Sequence, residues 1–269
     1  ELMTGVGENA ASGAINSTFN NPNNQRNVVA DRLSVTINKI GDFGSTDNPI
    51  ITRVNQLMVN TAQGDQFISE VDGLSAVNLT ANAGNNNITL KTGVGNNATS
   101  GEITDTDGNR DLWGNQVSVT INKAGGFGSQ GNLLRINAND LSVDTSGGNQ
   151  FILLPQGVSD LNLNAGTQGN ITLNSNKAIT DSNNSDGDVI ANQLSVTITG
   201  TGAENFDFGT TDSPIRIRVD ELSVDTSAQG GSQFINEADG LTALNLNANQ
   251  GNITLKTGVG NNATSGEIT

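Results

Sequence analysis

The run DTDGNRD sets Asp105, Asp107, Asn109 and Asp111 at alternate positions, the spacing at which calcium loops offer side-chain oxygens to a hard cation. These four residues are the expected metal site, and calcium is the only cofactor the sequence suggests. The downstream bidentate Glu of such loops is missing, so a solvated turn is the competing reading. Asp181, Asp186 and Asp188 fall in the equivalent loop further along, and the nonapeptide of calcium-binding β-rolls is absent. Acid–base chemistry has little else to use. The chain has no His and no Cys, which removes the commonest general base and the thiol nucleophile and leaves Asp, Glu, Lys and Arg. Paired carboxylates could serve a glycosidase, but catalysis needs one constellation that breaks the pattern, and these carboxylates sit in loops of near-identical units. No catalytic residue is assigned, and the chain is not expected to be an enzyme.

Other chemistry-bearing residues have plainer readings. The Phe-Gly turns around Phe43, Phe127 and Phe208 lack the Gly-rich loop, paired Lys and helix of a kinase metal loop. They are expected to cap the end of an apolar core, with Phe67, Phe151 and Phe234 stacking in a second internal column. Asn-x-Ser/Thr triplets begin at Asn16, Asn78, Asn87, Asn97, Asn170, Asn252 and Asn262. In a chain this rich in Asn and Thr they read first as side-chain ladders and only second as glycosylation sites. Trp113, the single tryptophan, is a weak candidate for a sugar platform.

The elements that carry these residues follow from a repeat. KTGVGNNATSGEIT at 91–104 returns letter for letter at 256–269, an offset of 165 residues (256 − 91), and LMTGVGENAASGAIN from Leu2 is a diverged copy. Finer markers divide that offset into two units of about 82 residues. GLSAVNL at 73–79 matches GVSDLNL at 157–163 and GLTALNL at 240–246, and LSVTI at 33–37 matches VSVTI at 117–121 and LSVTI at 194–198. QFI recurs at Gln66, Gln150 and Gln233. Superunits are drawn at about 2–89, 90–172 and 173–254, with a fourth beginning at 255. The opening falls inside a repeat, so the chain is expected to be a window on a longer protein.

Within each unit apolar and polar residues alternate, which is the period of a strand with one buried and one wet face. In PIRIRV at 214–219, Ile215, Ile217 and Val219 point inward and Arg216 and Arg218 outward, so Arg216→Asp is expected to be nearly silent. Ile50, Thr52, Val54 and Leu134, Ile136, Ala138 refill the same columns. Turns rich in Gly, Asn, Asp and Ser separate the strands, and helix signals are absent. Leu33 to Leu57 to Leu79 gives coils of just over 20 residues, roughly four per superunit. The predicted fold is all-β: a single continuous parallel β-helix, or β-solenoid, over 1–269. A β-sandwich is the alternative, against which stand the missing Tyr and lone Trp.

Composition agrees. A hydrophobic share of 33% with 3% aromatics suits a thin elongated core, and the regular placement of the apolar residues argues against disorder. The net charge of −15 opposes binding to nucleic acid and favours cations. No run approaches the roughly 18 apolar residues needed to span a bilayer, so no membrane insertion is expected.

LNLNAGTQGNITLNSNKAIT at 161–180, with its partners at 77–92 and 244–257, resembles the filamentous haemagglutinin type of repeat of large exoproteins from the two-partner secretion pathway. The resemblance covers about a quarter of the chain directly. It implies a right-handed β-helix fibre at the bacterial cell surface or outside the cell, used in adhesion, aggregation or biofilm matrix formation. The expected function is a structural filament or stalk that self-associates into fibres and meets cell-surface or polysaccharide ligands. The alternatives are an adhesin whose binding tip lies outside this segment and a β-helix polysaccharide-active enzyme.

Overall fold

The structure, a computed structural model, describes the chain except residues 8, 9, 24, 83, 106–108, 183–187, 203, 261, 262 and 264. No helix occurs among the described residues; every regular element is a strand, and every strand pairs in parallel with its neighbours. The chain divides into two compact units, 1–138 and 139–269.

In the first unit the chain alternates between two sheets. One holds β1 (Leu2–Thr4), β3 (Arg32–Ile40), β5 (Gln56–Gln63), β7 (Ala76–Ala81), β9 (Leu112–Trp113) and β11 (Leu134–Asn137) in that order. The other holds β2 (Val28–Val29), β4 (Ile50–Arg53), β6 (Gln66–Glu70), β8 (Ile88–Thr92) and β10 (Gln116–Ile121). The second unit repeats the plan. One sheet there runs β13 (Gln150–Leu154), β15 (Asn170–Ser175), β17 (Gln193–Ile198), β19 (Glu221–Asp225), β21 (Ala243–Asn247). Its companion runs β12 (Asp140–Asp144), β14 (Asp160–Asn164), β16 (Val189–Ile190), β18 (Ile215–Arg218), β20 (Gln233–Glu237), β22 (Ile253–Lys256). Within each unit successive strands of one sheet thus lie two apart in the chain, one winding on. That is a β-solenoid of about ten turns in all, as the alternation and turn chemistry imply.

Parallel in-register pairing puts each inward side chain directly over its counterpart. Val35 lies over Val59, Val59 over Leu79, Leu79 over Leu112 and Leu112 over Ile136. In the second unit Val143, Leu163, Val189 and Ile217 make a like column. All nine are nearly inaccessible to solvent, and each such side chain contributes about 1.5–3 kcal/mol on burial. The inward sets expected from sequence are all buried: Ile50, Thr52, Val54; Leu134, Ile136, Ala138; Ile215, Ile217, Val219.

Two features differ from the sequence reading. Windings vary from 18 residues (Ile50 to Ile68) to 33 (Leu79 to Leu112), because the turns, unlike the strands, are free to lengthen. Phe67, Phe151 and Phe234 are the outward, half-buried second residues of β6, β13 and β20 and do not form an internal column. Pairing forces this: Gln66, Gln150 and Gln233 beside them take the inward places. Phe43, Phe127 and Phe208 are fully buried at the turns, each bridged in parallel to an Ile of the adjacent winding, Ile15, Ile103 and Ile179.

Windings also meet closely at the turns. A Cβ at Gly64 would collide with the Gly41 carbonyl, and one at the equivalent Gly231 with the Phe206 carbonyl. Repeat copies seven strands apart lie in opposite sheets of the same unit: LSVTI in β3 against VSVTI in β10, and QFI in β13 against QFI in β20.

Truncating one member of a column, Leu163→Ala, is expected to cost about 2–5 kcal/mol, whereas Arg218→Asp on the exposed face should stay within about 0.5 kcal/mol. Urea unfolding of both variants checks this, and equal losses would contradict the inside/outside assignment.

Candidate functional site

The acidic loops marked in the sequence form a set with a common construction. Asn27, Asp111 and Asp188 stand immediately before the two-residue strands β2, β9 and β16. Each accepts, through a side-chain oxygen, a backbone N–H of the neighbouring winding: Ile51 at 2.7 Å, Arg135 at 2.6 Å and Arg216 at 2.7 Å. Strands this short cannot supply those acceptors from their own ladder, so the side chain completes it. Ser17, Asp105 and Asp181 hold a second equivalent position, and all three are buried. In the first copy the pair is neutral, Ser17 Oγ lying 3.0 Å from Asn27 Nδ2. In the third it is doubly acidic, and Arg216 answers it: Nη2 donates to Asp181 Oδ2 at 2.9 Å and Asp188 Oδ1 at 3.3 Å. Both carboxylates have fully buried side chains, and the Arg216 side chain keeps 19% of its surface.

Burial pushes the Asp188 carboxyl up to about 6, helped by the charge of Asp181 and opposed by Arg216. Asp160, on the adjacent winding, is also raised to about 6, by burial first and then by the hydrogen bond and charge of Asp181, with smaller effects from Asp140 and Asp188. Arg216 is therefore no solvated outward residue. Period two places it outside correctly but does not encode the two carboxylates, Asp181 and Asp188, that converge on it, and the near-silence expected of Arg216→Asp is corrected.

Of the four residues expected to bind calcium, Asp105 and Asp111 are buried, Asn109 is exposed, and Asp107 lies outside the described residues, as does Asp186. Asp111 spends Oδ2 on the Arg135 amide. Among the described residues no group of three or more carboxylates is placed to hold a metal ion. In the equivalent third-copy loop a guanidinium already bridges the two carboxylates. Trp113 is half-buried with the Arg110 guanidinium carbon 3.9 Å from its ring centroid, so one ring face is occupied by a cation.

Sequence reasoning missed two further sets of buried polar groups. Glu70 and Glu237 end β6 and β20 with no solvent exposure, where the middle copy has Leu154. The Glu70 carboxylate accepts from Thr52 Oγ1 at 2.6 Å and the Val54 and Asp72 amides at 3.3 and 3.4 Å; Asp72 in turn pairs with Arg53. Burial drives Glu70 up to about 8 and Glu237 up to about 7, the latter assisted by the charge of Asp239. Their signal was present, since both continue the inward alternation. The other set is Gln66, Gln150 and Gln233, fully buried, each Nε2 shared among two backbone carbonyls and a Thr hydroxyl. For Gln66 these are the Val59 and Thr80 carbonyls at 3.2 and 2.9 Å and Thr61 Oγ1 at 3.3 Å, and the other two copies repeat the pattern. Each Gln thus clips two successive windings together.

No family model, curated protein or solved structure matches the chain. Chemistry must therefore be judged from the site alone. The arrangement of Asp181 and Asp188 with Arg216 braces adjacent windings.

Two predictions follow from the buried charges. Arg216→Asp should cost roughly 3–5 kcal/mol, the range for breaking a buried pair, with Arg218→Asp as the neutral control; indistinguishable melting of the two variants would remove Arg216 from this role. The raised carboxyls give stability a definite pH sign. Between about 4.5 and about 8 the folded chain retains a proton on Glu70 that the unfolded chain has released, so stability is greatest below that window and falls as pH rises through it. Glu237 acts in the same direction up to about 7. The urea midpoint should decline with pH across this window and decline less in Glu70→Gln/Glu237→Gln; a midpoint that rises with pH would refute the assignment.

Proposed function

We propose that the chain is a structural segment of an extracellular filament or stalk, whose product is reach and surface and not catalysis. What carries this reading is the column: one inward position refilled with aliphatic residues winding after winding, so that stability accrues with the number of windings and length costs little. A right-handed coil is the sense expected of parallel strands joined by crossovers. The superunit of about 82 residues then spans seven strands, or three and a half turns, so successive superunits present like surfaces on opposite faces. That suits a fibre that adheres or self-associates on both sides.

The resemblance to the filamentous haemagglutinin type of repeat supports a bacterial cell-surface or secreted setting. Calcium bound at the DTDGNRD loop belongs to the same reading, and a higher melting temperature with the ion than without it is the expected result.

Electron diffraction from assemblies of the purified protein should give an axial spacing of ~4.8 Å, with elongated particles in negative stain. Globular, non-associating particles that release reducing sugars from acidic polysaccharide would favour the enzymatic alternative.

A further inference from the structure

A place where one copy departs from the others can hold something the repeat as a whole does not. Between Ser17 and Asn27 the first copy has nine residues, where Asp105 to Asp111 and Asp181 to Asp188 enclose five and six. The longer loop brings Pro22, Asn23 and Arg26. Asn23 Oδ1 accepts the Asn96 backbone N–H at 2.9 Å, tying the loop to a turn 73 residues away. That turn is anchored beyond the end of β6, where the Gly95 N–H donates to the Val71 carbonyl at 2.9 Å and the Gly93 N–H to the Asp72 carbonyl at 2.9 Å. Gly95 is required for this approach, because a Cβ would press on the Val71 side chain at 2.6 Å.

Loop and turn enclose a cleft of about 110 Å³, lined by Asn23, Arg26, Arg53, Asp72, Asn96 and Asn97 among others. Arg26 uses Nη1 on the Pro22 and Gln25 carbonyls, and Arg53 uses Nε on Asp72 at 3.2 Å. The remaining guanidinium donors at this cleft make no hydrogen bond to a described residue. Two of the chain's 12 basic residues therefore meet with one acid, a locally positive spot on a protein of net charge −15.

We propose that this cleft binds a single acidic sugar residue of the uronate type. Its carboxylate sits against the Arg26 and Arg53 guanidinium donors, whose fork geometry matches a carboxylate. The side-chain amides of Asn23, Asn96 and Asn97 offer both donors and acceptors to ring hydroxyls, and Asp72 accepts a further hydroxyl while holding Arg53 in place. The cleft, about 110 Å³, seats the carboxylate and the hydroxyls beside it, with the rest of the ring standing outside. An acidic polysaccharide is thus held residue by residue at a defined point, since the rest of the surface repels it. This does not depend on whether the chain forms filaments.

The test uses the whole 269-residue chain, with binding followed by calorimetry and by amide chemical shifts. Galacturonate and glucuronate are the probes, with galactose, glucose and inorganic phosphate as controls. The expected result is saturable uronate binding, with shifts centred on residues 23–26 and 93–98, weakened at least about tenfold by Arg26→Ala and by Arg53→Ala while melting is unchanged. Equal binding of phosphate would show a general oxyanion site and overturn the sugar assignment; equal binding of galactose would remove the role of the arginines. Shifts elsewhere, or no saturation at millimolar uronate, would overturn the proposal outright.

Discussion

In-register parallel pairing between windings is the constraint from which the rest follows. Because a backbone amide bonds only to the winding next to it, every side chain is placed directly against its counterpart, and each inward column must be chemically compatible with itself. Aliphatic columns satisfy this at once. Val143, Leu163, Val189 and Ile217 differ in shape but not in class, so the backbone need not adjust from one winding to the next. A polar residue entering a column meets an apolar neighbour on at least one side and must find its partner elsewhere.

The chain meets that requirement in four ways. At the corners, Gln66, Gln150 and Gln233 point their amides along the axis and bond across it to two windings at once, so a buried amide ties windings together. Before the shortest strands, Asn27, Asp111 and Asp188 replace missing ladder acceptors with side-chain oxygens. Where two acids are brought together in the third copy, Arg216 supplies the counter-charge, and the raised Asp188 records what burial still costs. Glu70 and Glu237 follow a fourth course. Desolvation raises both carboxyls, Glu70 to about 8 and Glu237 to about 7, which favours the neutral hydrogen-bonding form in a column where the middle copy has Leu154.

What the sequence disclosed follows the same division. Everything set by period two was legible, including the strands, the inward columns from Ile50 to Val219 and the parallel stacking implied by columns of like residues. What was missed depends on the third dimension. Phe67, Phe151 and Phe234 look like core residues by type, yet their parity puts them outside, and type was followed over parity. Glu70 and Glu237 are the mirror case, since their parity puts them inside while their charge argued for the surface. Arg216 was placed on the correct face, but nothing local in PIRIRV reveals that Asp181 and Asp188, 35 and 28 residues earlier, converge on it.

The odd number of strands between repeat copies bears on how such a chain acquires function. An even count would return each copy to the same sheet, so that one substitution spread by duplication would pattern a single face. With seven, β3 and β10 carry nearly the same sequence in opposite sheets, and β13 and β20 do likewise. A feature in the repeat is thereby shared between two faces, and one-sided specificity has to come from residues outside the repeat. The turns are where such residues can be added, because their length is not fixed by pairing: the windings differ by up to 15 residues (33 − 18) while the strand register is kept. The lengthened loop that carries Asn23 and Arg26 is such an addition, fastened to the turn at Asn96 without disturbing the column of Val28, Thr52 and Glu70 beneath it.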